Sequence, residues 1–104
     1  MSSLRLQQSL VTRLRPESGD GVLHYELMAE QAYSLGRAGQ RVEAALTALR
    51  EHSGGEGRDV LLKTAADAVW GFLVQREIMG LRDRAAIIAH YGIPKEVLAR
   101  LGAR

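Results

Sequence analysis

The segment from Asp59 to Leu81, DVLLKTAADAVWGFLVQREIMGL, constrains the chain most, because it is the one long stretch that is apolar on nearly every side. At about 100° per residue, Leu62, Ala66, Val69 and Leu73 form one stripe, with Leu61, Ala65, Ala68 and Phe72 on one flank and Trp70 and Val74 on the other. The polar strip that remains is narrow: Thr64, Asp67, Gly71 and Gln75. An amphipathic surface helix needs an apolar arc of only about 100°, so this pattern predicts a central helix from Asp59 to Met79, wrapped by the others, with Trp70 in the core.

On the same wheel Arg76 and Glu77 fall at the edges of the buried stripe. An unpaired buried charge costs several kcal/mol even after relaxation, so each is expected to have a partner, drawn from Asp83, Arg82, Asp67 or Glu43. Arg76, Glu77 and Asp83 are therefore a candidate ion-pairing cluster that fixes how helices dock. The alternatives are long side chains with buried stems and solvated heads, or a binding site.

From Val22 to Arg50 the apolar residues Met28, Leu35, Val42 and Leu49 recur every seven positions, with Gln31, Ala38 and Ala45 or Leu46 between them. Beside this seam runs a row of small residues, Ala29, Ala32, Gly36 and Gly39, suited to close approach of another backbone. The seam stays in phase across the two glycines, which favours one continuous helix over a break at SLGRAG. Seam and row are both candidate surfaces for self-association, the competing use being packing on the central helix of the same chain.

HSGGEG, residues 52–57, reads as a turn between two antiparallel helices, and with no preceding strand and no Gly-Lys-Ser/Thr ending it is not a phosphate cradle. Asp59 then serves as a cap or first-turn acid. Gly80 ends the central helix and Asp83 opens a short one, DRAAIIAHY. Gly92 closes that helix, and Pro94 begins a last one, PKEVLARL, burying Val97, Leu98 and Leu101. Upstream, Leu4, Leu10, Val11 and Leu14 suit a weak helix, and the run from Pro16 to Gly21 reads as a linker with an N-cap at Asp20. The expected organisation is a loosely ordered arm, residues 1–20, and one helical domain, residues 21–104.

Several chemistries have no residues to carry them. The absence of cysteine excludes disulfides, thiolate zinc sites and cysteine nucleophiles, and fits a reducing, cytoplasmic address. No stretch reaches the roughly 18 charge-free apolar residues of a membrane span, and no secretory signal pattern is present. His24, His52 and His90 lie in three different elements without ligand spacing, so no metal or other cofactor is expected. No Gly-x-Ser-x-Gly elbow occurs. The charge of +2 is uneven: three arginines up to Arg15, net −4 from Pro16 to Gly57, and net +3 from Arg58 onward. It sets up no strong global field.

The two short helices around YGIP have the outline of a helix-turn-helix, with Lys95, Arg100 and Arg104, aided by Arg82 and Arg84, as candidate nucleic-acid contacts. That set is sparse for a base-reading surface. An enzyme would need a pocket built from Tyr25, Tyr33, Trp70, Arg76 and Glu77.

The blocks YELMAEQAYSLGRAGQRVEAAL, AADAVWGFLVQRE, GLRD and YGIPKEVLARLG, spread over Val22 to Gly102, together resemble a family of small bacterial proteins of unassigned function. The resemblance implies a compact all-helical protein. It carries over no catalytic residue, so Trp70, Arg76, Glu77 and Asp83 enter only as candidates. The expectation is an all-α fold, a small helical bundle with a long antiparallel helix pair and a C-terminal helical hairpin. The expected role is a non-enzymatic module that forms a dimer or binds a protein partner, with nucleic-acid binding as the alternative.

Overall fold

The computed structural model describes residues 19–103, and these contain four helices and no strand. They are α1 (Gly19–Glu51), α2 (Arg58–Ile78), α3 (Arg84–Tyr91) and α4 (Lys95–Leu98). The apolar positions expected near Leu10, residues 16–18 of the expected linker and the contact at Arg104 lie outside the described residues, while the rest of that linker, Gly19 to Gly21, is the start of α1 instead. Backbone contacts divide the chain into two compact units between Ser34 and Leu35.

In the first unit the described residues all belong to α1. Asp20 lies inside the helix, in its first turn, rather than capping it. Its carboxylate there still complements the positive end of the helix dipole. Leu23, Leu27, Met28 and Tyr33 are all exposed.

The second unit holds the core. Ala38, Val42, Ala45, Leu46 and Leu49 of α1 pack with Leu62, Ala65, Ala66, Val69, Phe72 and Leu73 of α2, closed off by Ile87, Ile93 and Val97. Residues 52–57 reverse the chain between α1 and α2, so the two long helices run antiparallel, as the glycine-rich turn predicts. Gly36 and Gly39 do not interrupt α1. Helix α2 starts one residue early, at Arg58, with Gly57 in the capping position and Asp59 as its first-turn acid.

Both glycine ends are built as anticipated, and the hydrogen bonds show why. At the end of α2 the Leu81 N–H donates to the Arg76 carbonyl at 2.8 Å and the Gly80 N–H to the Glu77 carbonyl at 3.0 Å. At the end of α3 Ile93 donates to Ile88 at 3.1 Å and Gly92 to Ala89 at 3.3 Å. This paired pattern satisfies the last carbonyls of a helix and needs a left-handed residue, here Gly80 at φ 85° and Gly92 at φ 63°. The second motif then places Ile93 beside Ile87 in the core. Pro94 precedes α4 rather than opening it, and α4 is a single turn that continues as tight turns through Leu101.

Trp70 departs from expectation: it is 44% exposed. The neighbouring helices cover the Leu62, Val69 and Leu73 side of α2 and leave the Trp70 edge in solvent, so α2 is covered on one broad side rather than wrapped.

Candidate functional site

The sequence-derived cluster forms across the turn between α2 and α3. Arg76 Nη2 lies 2.8 and 2.7 Å from the two carboxylate oxygens of Asp83, and Arg76 Nε reaches one of them at 3.3 Å. The Arg76 side chain is largely covered, and its guanidinium carbon stands 5.6 Å from the centroid of the Phe72 ring. Hydrogen bonding from Arg76 holds the Asp83 carboxyl below the usual carboxylate range, against a smaller opposing effect of desolvation. Asp83 sits at the capping position of α3 but makes no side-chain cap, because its oxygens face Arg76.

Glu77 departs from expectation in two ways. It is exposed rather than at a buried edge, and it is met at 3.4 Å by Arg84 instead of Arg82. Asp67, another anticipated partner, pairs with Lys63 one turn away at 3.0 Å. The pocket between these pairs, lined by Leu73, Leu81 and the charged groups, holds about 90 Å³. Ligand pockets for small organic molecules occupy roughly 300–1,000 Å³, and this one is smaller.

Two larger clefts lie elsewhere in the second unit. One, of about 400 Å³, is lined by Glu43, Leu46, Thr47, Arg50, His90 and Tyr91. Its guanidinium is engaged: Arg50 donates to the Tyr91 carbonyl at 2.8 Å and to the Gly92 carbonyl at 3.4 Å, closing the end of α3. His90 meets Tyr91 edge-on with ring centroids 4.9 Å apart, and Tyr91 meets Phe72 the same way at 5.5 Å. The other cleft, of about 390 Å³, lies between Lys63, Asp67 and Trp70 of α2 and the turn at Gly102 and Ala103.

The interaction seam is divided. Val42 and Leu49 are buried inside the chain, Leu35 packs partly against the core, and Met28 alone of the four is exposed. Val42 and Leu49 are thus taken up by packing within the chain, while Met28 is not. The small-residue row divides likewise. Ala32 and Gly36 are exposed, and among the described residues no atom beyond the adjoining turns of its own helix lies within 4 Å of where a Gly36 Cβ would stand. Gly39 is buried, but against side chains rather than a backbone: a Cβ there would stand 2.8 Å from Tyr91 Oη and 3.4 Å from Phe72 Cε1.

Of the hairpin cations, Arg100 faces Asp59 at 3.5 Å and Arg84 faces Glu77 at 3.4 Å, while Arg82 and Lys95 are exposed. Arg58 forms a two-pronged pair with Glu96, at 2.9 and 2.6 Å, joining the start of α2 to α4. Hydrogen bonding to Arg58 holds the Glu96 carboxyl low, and the same bond raises Arg58. Sequence reasoning gave no notice of this pair or of the Arg50 cap, since partners about 40 residues apart leave no local pattern. Among the described residues no group of three or more histidines and carboxylates is placed to hold a metal, and no helix is long and apolar enough to cross a membrane.

The chain belongs to DUF6665, a family of unknown function, whose model matches residues 1–104. No curated protein and no solved structure matches it.

Proposed function

We propose that this member of a family without an assigned activity is a non-enzymatic, cytoplasmic helical module that self-associates. The observation that carries this is the exposure of large apolar side chains on the solvent side of α2. Trp70, the chain's one tryptophan, is 44% exposed, Val60 68% and Ile78 78%. Tryptophan is enriched where protein surfaces meet, and these three residues fall on one side of the helix at about 100° per residue. The polar groups support the same reading. Arg58, Arg76, Arg84 and Arg100 each face a carboxylate and Arg50 caps a helix, which leaves them as struts of the fold rather than donors turned to a substrate or to phosphates.

This reading places the association surface on α2; of the surface expected on α1, Met28, Ala32 and Gly36 are still exposed. Sedimentation equilibrium from low micromolar concentration upward tests the reading. The expected result is a monomer–dimer equilibrium. A monomer mass throughout would count against self-association and return attention to the Arg76 and His90 clefts.

A further inference from the structure

Val60, Lys63, Asp67 and Trp70 occupy an arc of about 80° on the solvent side of α2, taking about 100° per residue. All four are exposed, Lys63 and Asp67 by 66% and 61% of their side chains. Their order along the helix is self-complementary. The apolar pair, Val60 and Trp70, is placed symmetrically about Ala65, and so is the charged pair, Lys63 and Asp67.

When two identical helices cross antiparallel about a two-fold axis, a residue a given distance before the axis faces the residue the same distance after it on the other copy. With the axis on the outer face, level with the buried Ala65 along the helix, each lysine lies opposite an aspartate and each valine lies level with a tryptophan. A receptacle is already formed beside that tryptophan. The turn at Gly102 approaches one side of the Trp70 ring, a Cβ there standing 3.6 Å from Trp70 Cη2, and the cleft of about 390 Å³ opens between this turn, Lys63 and Asp67.

We propose that a second copy of this chain docks antiparallel on the outer face of α2, with Val60 of each copy entering the cleft beside Trp70 of the other and Lys63 of each facing Asp67 of the other. This rests on the self-association reading and gives it a surface and a geometry. The two Lys63–Asp67 pairs, each at 3.0 Å within its own chain, become one ring of four alternating charges at the dyad. Covering Trp70 and Val60 supplies the apolar part of the contact, and the charge order sets register and direction.

The test uses charge reversal and the single tryptophan. Lys63→Asp makes both positions acidic and Asp67→Lys makes both basic, so each variant alone meets like charges across the dyad. The expected dissociation constant of each rises at least about tenfold, because like charges then oppose one another at two places. Mixed in equal amounts, the two variants present complementary faces and regain the dimer mass. The double variant Lys63→Asp/Asp67→Lys dimerises alone. Trp70 emission moves to shorter wavelength as the wild-type dimer fills. Circular dichroism shows each variant to be as helical as the wild type, and recovery on mixing shows that both single variants are folded. A wild-type dimer whose Trp70 emission is unchanged on dilution, and whose charge variants dimerise equally well, overturns this face and leaves self-association standing. A wild type that stays monomeric overturns both.

Discussion

The guanidinium of Arg76 grips both carboxylate oxygens of Asp83 across the Gly80 turn, at 2.8 and 2.7 Å, while the Arg76 carbonyl accepts the Leu81 N–H that closes the same turn. One residue thus ends α2 through its backbone and fixes the start of α3 through its side chain. The ion pair adds a side-chain tie across a turn that the backbone hydrogen bonds already close.

That pair and Arg58–Glu96 predict an acid limb in stability. Asp83 and Glu96 are both held below their ordinary values, each chiefly by hydrogen bonding to its arginine. In the unfolded chain they titrate near about 3.9 and 4.3. Their stabilising contribution is therefore complete above those values and is lost as pH falls through the lower folded ones. Thermal melts should be insensitive to these groups from about pH 5 to 7 and fall below about pH 4. Arg58→Gln and Arg76→Gln should each lower the melting temperature at neutral pH and make the acid limb shallower. Equal slopes in wild type and variants would remove these pairs as its cause.

Gly39 and Gly36 should respond oppositely to alanine. A Cβ at Gly39 meets Tyr91 Oη at 2.8 Å, and Tyr91 can give way only by disturbing its edge-on contacts with Phe72 and His90. Overpacking of this kind costs about 1–3 kcal/mol, against about 1 kcal/mol gained from helix propensity, so Gly39→Ala should be destabilising by roughly 1 kcal/mol. Gly36→Ala meets nothing and should be stabilising by about 1 kcal/mol. Urea unfolding checks both. Adding Tyr91→Phe to Gly39→Ala, which removes the obstructing oxygen, should recover most of the loss.

Arg50 closes α3 from a helix about 40 residues away in sequence, so its loss should be felt there first. Arg50→Ala leaves the Tyr91 and Gly92 carbonyls to water, with an expected cost of about 1 kcal/mol because the site is exposed. Amide exchange at Gly92 and Ile93 should speed up more than at Val69 in the middle of α2. Uniform acceleration would show that Arg50 acts only on global stability.

The parts of this fold legible in the sequence are those set by neighbours along the chain. Gly80 and Gly92 mark helix ends because the closing hydrogen bonds need a left-handed residue, and Arg76 reaches Asp83 because only one tight turn separates them. Val42 and Leu49 are marked by helical phase alone. Trp70 is not, because a wheel ranks the faces of one helix without saying which of them the other helices cover. Gly39 shows the same limit from the other side: the row of small residues announces close approach, but not that a phenol oxygen rather than a backbone fills the space.

The separation between core and exposed face in α2 gives the last prediction. Leu46 is 1% exposed and contacts the centre of the cluster, so Leu46→Ala should cost about 2–5 kcal/mol through lost burial and the cavity left behind. Trp70 is far larger, yet nearly half of it faces solvent and its visible support is the turn at Gly102. Trp70→Ala should therefore cost about 1 kcal/mol when both proteins are unfolded by urea at a dilution where the chain is monomeric. At concentrations where the dimer is populated the same substitution should lower the transition midpoint further, because the unfolding equilibrium then includes dissociation. A Trp70→Ala loss matching that of Leu46→Ala, with no dependence on concentration, would put Trp70 in the core after all and leave the outer face of α2 without its anchor.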